Sequence, residues 1–251
     1  MVVFLHIAKT AGTSLHSSLV ELLQPQAPCP YLTDDDVRKA SSLDAYDYLH
    51  GHFTMHCIRR LVPWADIVTM LRNPVTRALS QYQGWHAVLE PDPVWEEHLA
   101  RHDAAAQALA FTQRATIHEF FNSERAPIQR QFTNYQTYFL SDYDVGTTEF
   151  RVWDEAALRS AKNNLIENVR VFGIAERMAE SLGLIKTTFG KPDAKLEPVI
   201  LNRSRRPSGE LLDLNIVRRI ESHNPMDLEL YAFAMSEFER RISGLESKTA
   251  R

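Results

Sequence analysis

Hydrophobic and polar positions fall into blocks along the chain, with no single period running throughout. Val2 to Ile7 is a near-continuous apolar run, the pattern of a strand buried on both faces. Small residues from Ala8 to Thr13 make a turn. Leu15, Leu19, Leu22 and Leu23 then recur at helical spacing until Pro25 and Pro28 close the helix. Asp66 to Leu71 repeats the buried-strand pattern, and Asn73 as N-cap with Pro74 at the first helical position predicts a helix running through Tyr82. A third strand is predicted at Val169 to Phe172, with a helix from Ala175 to about Phe189. Tyr46 to Leu49 reads as a short strand leading into His50-Gly51-His52. Asn224-Pro225 opens a closing helix whose Leu228, Tyr231, Met235, Phe238 and Ile242 form a core-facing stripe.

Strand, tight loop and helix in repetition predict an α/β fold around a parallel sheet. The chain of 251 residues suits one domain over 1–251 with a sizeable core. The helical middle, 91–144, is expected to pack on one side of the sheet and form part of a substrate cleft, with Trp85, Trp95, Phe120, Phe121, Tyr135 and Tyr138 as core or pocket aromatics. An apolar share of 44% and a charged share of 24% are ordinary for a soluble protein. A net charge of −4 argues against a general nucleic-acid or anionic-membrane binder, while leaving room for a local basic pocket. Cys29 and Cys57 fit no metal spacing and are expected as free thiols. No apolar run approaches the ~20 residues of a membrane span, and the N-terminus lacks the basic start of a signal peptide. The expected setting is soluble and cytoplasmic.

The candidate chemistry starts in the first loop. Small residues after a buried strand, opening a helix, present backbone N–H groups and the positive end of the helix dipole to an anion. Gly12 permits close approach, Thr13 and Ser14 offer hydroxyls, and Lys9 brings a mobile charge. Lys9 precedes the glycine and no Gly-Lys-Ser/Thr is present, so the loop is not a Walker motif. A second anion site is expected where Arg72 leaves a strand end and Ser80 lies on the following helix, the guanidinium and hydroxyl sharing one anion.

His6-Ile7-Ala8-Lys9-Thr10-Ala11-Gly12-Thr13-Ser14-Leu15 resembles the 5′-phosphosulfate loop of sulfotransferases that use 3′-phosphoadenosine 5′-phosphosulfate (PAPS). The likeness is to the branch with the heparan sulfate 2-O-sulfotransferases and related bacterial enzymes, with Ala8 and Ala11 where Pro and Gly are usual. It implies a P-loop-like three-layer fold, a central parallel sheet flanked by helices. It also implies transfer of a sulfuryl group from PAPS to an acceptor hydroxyl, leaving PAP, without a metal. Lys9, Thr10, Ala11, Gly12, Thr13 and Ser14 would hold the 5′ end, with Lys9 stabilising the leaving group. Arg72 and Ser80 would hold the 3′-phosphate, and Arg77 matches a position often basic in the family. Arg203 and Ser204 would lie in a loop closing over the nucleotide. In the similar His-Gly-His of that branch a histidine is the general base, which points to His52 first and His50 second. A His-x-His with His56 nearby is also a pattern for a metal site.

Two other classes stay open. A P-loop-type kinase or other nucleotide-binding protein would need a Mg²⁺ ligand on a second strand, and a non-catalytic relative would dispense with His52. Animal glycan enzymes of the branch carry an N-terminal anchor, whereas this chain starts almost at its first strand, which suggests a bacterial enzyme acting on a small metabolite or a glycan.

Overall fold

A computed structural model of the chain describes residues 1–87, 104–196 and 213–249. Its centre is a five-stranded sheet, all parallel. β1 (Val2–Leu5) lies in the middle, and β2 (Leu32–Thr33), β3 (Tyr48–His52), β4 (Asp66–Leu71) and β5 (Val169–Ile174) complete the order β2-β3-β1-β4-β5. This is the predicted α/β sheet flanked by helices. Val3, Phe4, Leu5, Val68, Met70, Leu71 and Phe172 are all fully buried, as continuous apolar strands covered on both faces must be. β1 is the hinge of the order: the chain moves outward from it to β2, then returns through β3 and crosses to β4 and β5. Right-handed crossovers in opposite directions put helices on opposite faces and open a crevice at the carboxyl ends of β1 and β4.

α1 (Gly12–Leu23) follows β1 and buries Leu15, Leu19 and Leu22. α2 (Asp34–Lys39) opens with a capping box between Thr33 and Asp36. α3 (Met55–Leu61) is capped by Thr54, which is itself tied to Asp34 through its amide. α4 (Pro74–His86) starts as expected: the Asn73 side chain accepts from the amides of Val75 and Thr76, and Pro74 holds the first position.

The middle of the chain forms α5 (Ala104–Thr112), α6 (Ile117–Phe121), α7 (Ala126–Gln129) and α8 (Tyr135–Leu140). Here the expected packing changes. Phe120, Phe121, Ile128 and Phe132 join Leu79 and Tyr82 of α4 and Ile216 and Ile220 of α11 (Leu214–His223) in a second, separate core. Of the middle helices α8 belongs to the sheet's core, through Tyr138, Phe139 and Leu140. α9 (Glu155–Glu167) leads into β5. A 3₁₀ turn (Ala175–Arg177) and α10 (Met178–Thr188) follow it, and α12 (Pro225–Thr249) closes the chain. On α12 the fully buried line is Met226, Leu230, Ala234 and Phe238, with Tyr231, Met235 and Ile242 partly buried beside it. Four of the five residues of the predicted stripe thus pack on the core, with the most buried line running beside them. Cys29 and Cys57 are buried free thiols. Among the described residues no helix is long and apolar enough to cross a membrane.

Candidate active site

β1 and β4 are hydrogen-bonded neighbours, with Leu5 beside Thr69, so the loops that leave them start side by side. The β1 loop is tightly constrained. Lys9 and Ala11 both take left-handed backbone angles, φ 69° and 64°. The Thr10 hydroxyl donates to the Ile7 carbonyl at 2.8 Å and is fully buried, so this side chain locks the loop from inside. Gly12 is required by close approach, because a Cβ there would lie 1.9 Å from the His6 ring. α1 begins without a capping side chain, leaving the first-turn amides of Gly12 and Thr13 to an anion. Thr13 is exposed, whereas Ser14 is buried.

Arg72 bridges the two loops. Its Nη1 donates to the Lys9 carbonyl at 3.1 Å and its Nε to the Thr76 hydroxyl at 3.1 Å, with Glu176 at 4.0 Å. Its backbone is held from the other side: the Gln136 side chain accepts from the Arg72 amide at 2.9 Å and donates to its carbonyl at 2.8 Å. α8, which carries Gln136, is fixed in turn by α12. Asp227 accepts from the amides of Gln136 and Thr137 and from the Thr137 hydroxyl, capping α8, while Asn134 accepts from the amides of Met226 and Asp227, capping α12. Ser80, two turns into α4, is buried on the helix that Arg72 introduces.

Arg77 is fully buried, not a solvated surface charge. Nη2 donates to the Gln131 carbonyl at 2.7 Å and the guanidinium lies 4.6 Å over the Tyr135 ring, while Nε and Nη1 have no hydrogen-bond partner. Burial and the charges of Arg72 and Arg77 hold the Lys9 amine below its ordinary pKa. Three cations thus gather at the carboxyl ends of β1 and β4 in a chain of net negative charge, a arrangement suited to a polyanionic ligand.

The His-Gly-His is part of β3, which extends past the Leu49 expected as its end. Alternation along the strand places Tyr48, His50 and His52 on one face. Gly51 lets β2 pair closely, since a Cβ there would sit 1.8 Å from the Leu32 carbonyl oxygen. Two further histidines meet the pair: the His52 ring lies 4.4 Å from that of His6, and the His50 ring stacks 4.0 Å from that of His16. Tyr31 stands edge-on to both His50 and His52. His52 Nδ1 lies 2.6 Å from the His6 carbonyl oxygen, and a carbonyl can only accept, so Nδ1 carries the proton and Nε2 is the basic nitrogen. Burial, joined by the Lys9 charge and opposed by the bond to His6, lowers the His52 pKa. Burial and His16 lower that of His50 to about 4. His56 turns away, to the Asp142 carbonyl, and among the described residues no group of three or more His, Cys, Asp and Glu could hold a metal ion.

Arg203, Ser204 and Trp95 lie outside the described residues. Of the other aromatics expected as cleft candidates, Phe120, Phe121 and Tyr138 are core, while Tyr135 stands over Arg77. A cavity of about 520 Å³ opens among Gln107, Phe111, Arg114, Glu119 and Arg125, and none of the loop or histidine residues lines it. Gln136, Asp227, Asn134, Thr76 and Glu176 were not singled out as site residues by sequence. All five lie in stretches read as helix or helix start, but none of these stretches has a pattern announcing a contact with the Arg72 neighbourhood.

Comparison with known proteins agrees with this architecture. Residues 1–234 match the family model described as "Sulfotransferase family". Heparan-sulfate 6-O-sulfotransferase 1-B of Danio rerio is 24% identical over 96% of this chain and 66% of its own length. The Homo sapiens 6-O-sulfotransferase 1 is 25% identical with the same coverage, and the Gallus gallus 6-O-sulfotransferase 2 is 27% identical over 99% of this chain and 69% of its own. These names carry 6-O where the motif resemblance pointed to the 2-O enzymes. The chain spans slightly under two thirds of the length of the first two relatives. With a model that covers nearly the whole chain and a site at the ends of β1 and β4, the chain belongs to the sulfotransferase family.

Proposed function

We propose that the chain transfers a sulfuryl group from PAPS to a hydroxyl of a glycan or small-molecule acceptor, with His52 as general base. The observation that carries this reading is the bond from Arg72 to the Lys9 carbonyl, which makes one continuous cationic site from two loops. A nucleotide with anionic groups at both ends fits such a site: the first-turn amides of α1 and Lys9 for the 5′ end, and Arg72 with Ser80 for the 3′-phosphate. The unpaired N–H groups of buried Arg77 add to the positive field beneath it.

When bound, PAPS supplies the sulfuryl group. The protein holds the donor still and moves one proton. His52 is neutral at pH 7 because its pKa is depressed, and Nε2 is left free by the bond from Nδ1 to His6, so it can take the acceptor's proton. Lys9 offers its charge where negative charge grows on the leaving phosphate. The names of the relatives favour a glycan acceptor. His50, packed against His16, is the second choice as base.

The test is thermal stabilisation by PAP against AMP, which lacks the 3′-phosphate. PAP at 100 times its Kd should add about 2.7 kcal/mol, with AMP well below it. Equal stabilisation by the two would remove the role given to Arg72 and Ser80. Label from PAPS sulfur should appear on a desulfated heparan-type glycan with the wild-type chain and not with His52→Ala.

A further inference from the structure

α4 contains one glycine, Gly84, in its last turn. Glycine weakens a helix relative to alanine, so its presence there calls for a reason. A Cβ built on Gly84 would lie 2.6 Å from the Lys9 ammonium nitrogen and 3.3 Å from its Cε. The Lys9 side chain therefore leaves the loop after β1 and lies on the bare backbone of α4. Gly183, in α10, gives the contrast: a Cβ there meets nothing within 4 Å.

Ser80 and Gly84 stand four residues apart on α4, so the resting place of Lys9 shares a helix face with the residue given to the 3′-phosphate. Among the described residues the charged groups bearing on Lys9 are Arg72 and Arg77, both cations that repel it, so no described counter-charge holds the ammonium there. Shape does.

We infer that Gly84 is a positioning residue for Lys9: the missing side chain forms a berth that holds the ammonium over the nucleotide crevice, and any side chain at 84 would displace it. The consequence for catalysis rests on the sulfuryl-transfer reading, since Lys9 there stabilises the leaving phosphate. The berth itself does not depend on that reading.

The experiment compares Gly84→Ala with Gly183→Ala. Lys9 is followed by ¹³C NMR of the reductively methylated chain, its resonance identified by its loss in Lys9→Arg. Gly84→Ala should release the amine toward water and move its titration upward, whereas Gly183→Ala should leave it in place. With PAPS and a heparan-type acceptor, Gly84→Ala should lower kcat roughly tenfold or more while KM for PAPS changes less than about twofold. Its Tm should be unchanged or higher, by up to about 2 °C, because alanine favours the helix. In a Lys9→Ala background the same substitution should cost no further activity. An unmoved Lys9 titration overturns the inference, as does a wild-type kcat in Gly84→Ala, a lowered Tm, or an equal loss of rate in the Lys9→Ala background. A wild-type chain that moves no sulfuryl group would refute the transferase reading, and the titration would still decide the berth.

Discussion

The Arg72 guanidinium donates to the carbonyl oxygen of Lys9 at 3.1 Å, across 63 positions of sequence. The contact exists because β1 and β4 are adjacent in the sheet although α1, β2, α2, β3 and α3 separate them in the chain. It turns two loops, each a weak anion site alone, into one surface. It also fixes the Lys9 backbone, from which the side chain extends to lie against α4 at Gly84.

That surface depends on Gln136, which fastens both backbone groups of Arg72. Gln136→Leu keeps the volume and removes both bonds, at a cost of about 1–3 kcal/mol each where the groups stay buried. Unfolding in urea should report a loss of that order. Titration calorimetry should report PAP affinity roughly tenfold weaker, because Arg72 loses its fixed direction. An unchanged affinity would mean that the side chain finds its place without the clamp.

Ala11 occupies a left-handed backbone position, φ 64°, which costs an L-residue about 1–2 kcal/mol. Ala11→Gly should relieve that strain and return about 0.4–1 kcal/mol of it through the looser unfolded chain. A net gain of up to about 1 kcal/mol in urea unfolding is expected, with PAP affinity little changed. A loss of stability would mean that the alanine methyl makes contacts worth more than the strain.

These two residues show how unevenly the sequence discloses the site. The loop was legible because its chemistry is local: a buried strand, small residues and a helix start are consecutive. β4 and its Asn73-Pro74 helix start were legible for the same reason. β3 runs two to three residues later than the Tyr46 to Leu49 of the pattern, because the polar His50 and His52 interrupt the apolar run, although Gly51 is there to admit β2. On α12 four residues of the expected stripe pack on the core, while the fully buried line beside it, Met226, Leu230 and Ala234, faces neighbours far away in sequence. Gln136 was invisible for a like reason: it acts through backbone groups of a distant residue, and no pattern in sequence records that.

The histidine cluster sets a pH dependence. His6, His16, His50 and His52 all have pKa values below the ordinary 6.5, with burial as the first cause in each. A group depressed in the fold binds its proton more readily when unfolded. Stability is therefore full above pH 6.5 and falls as pH drops below it, by up to about 1.4 kcal/mol per pH unit for each histidine. For His50 the window runs from 6.5 to about 4. Urea midpoints should hold between pH 8 and 7 and decline from pH 6 to 5, and His50→Gln should flatten the decline. The acid limb of kcat/KM should likewise lie below pH 6.5 if His52 is the base.

Arg77 and Asp227 are both fully buried, and each bears on the charge of the other. Their environments are unequal. Asp227 accepts from two amides and a hydroxyl, whereas Arg77 has one carbonyl, the face of Tyr135 and two nitrogens without hydrogen-bond partners. Arg77→Ala removes the buried counter-charge and leaves a cavity, which should cost about 3–5 kcal/mol. Arg77→Met fills most of the space and removes the unpaired N–H groups, so it should cost less. Asp227→Asn keeps an acceptor for the α8 amides and loses the charge. If the two act as a pair, the double variant Arg77→Met/Asp227→Asn should be more stable than the sum of the single losses by about 0.5–3 kcal/mol, read from urea unfolding. Simple additivity would mean that the arginine is held by packing on Tyr135 and Gln131 alone, and that its charge serves the anion crevice above it.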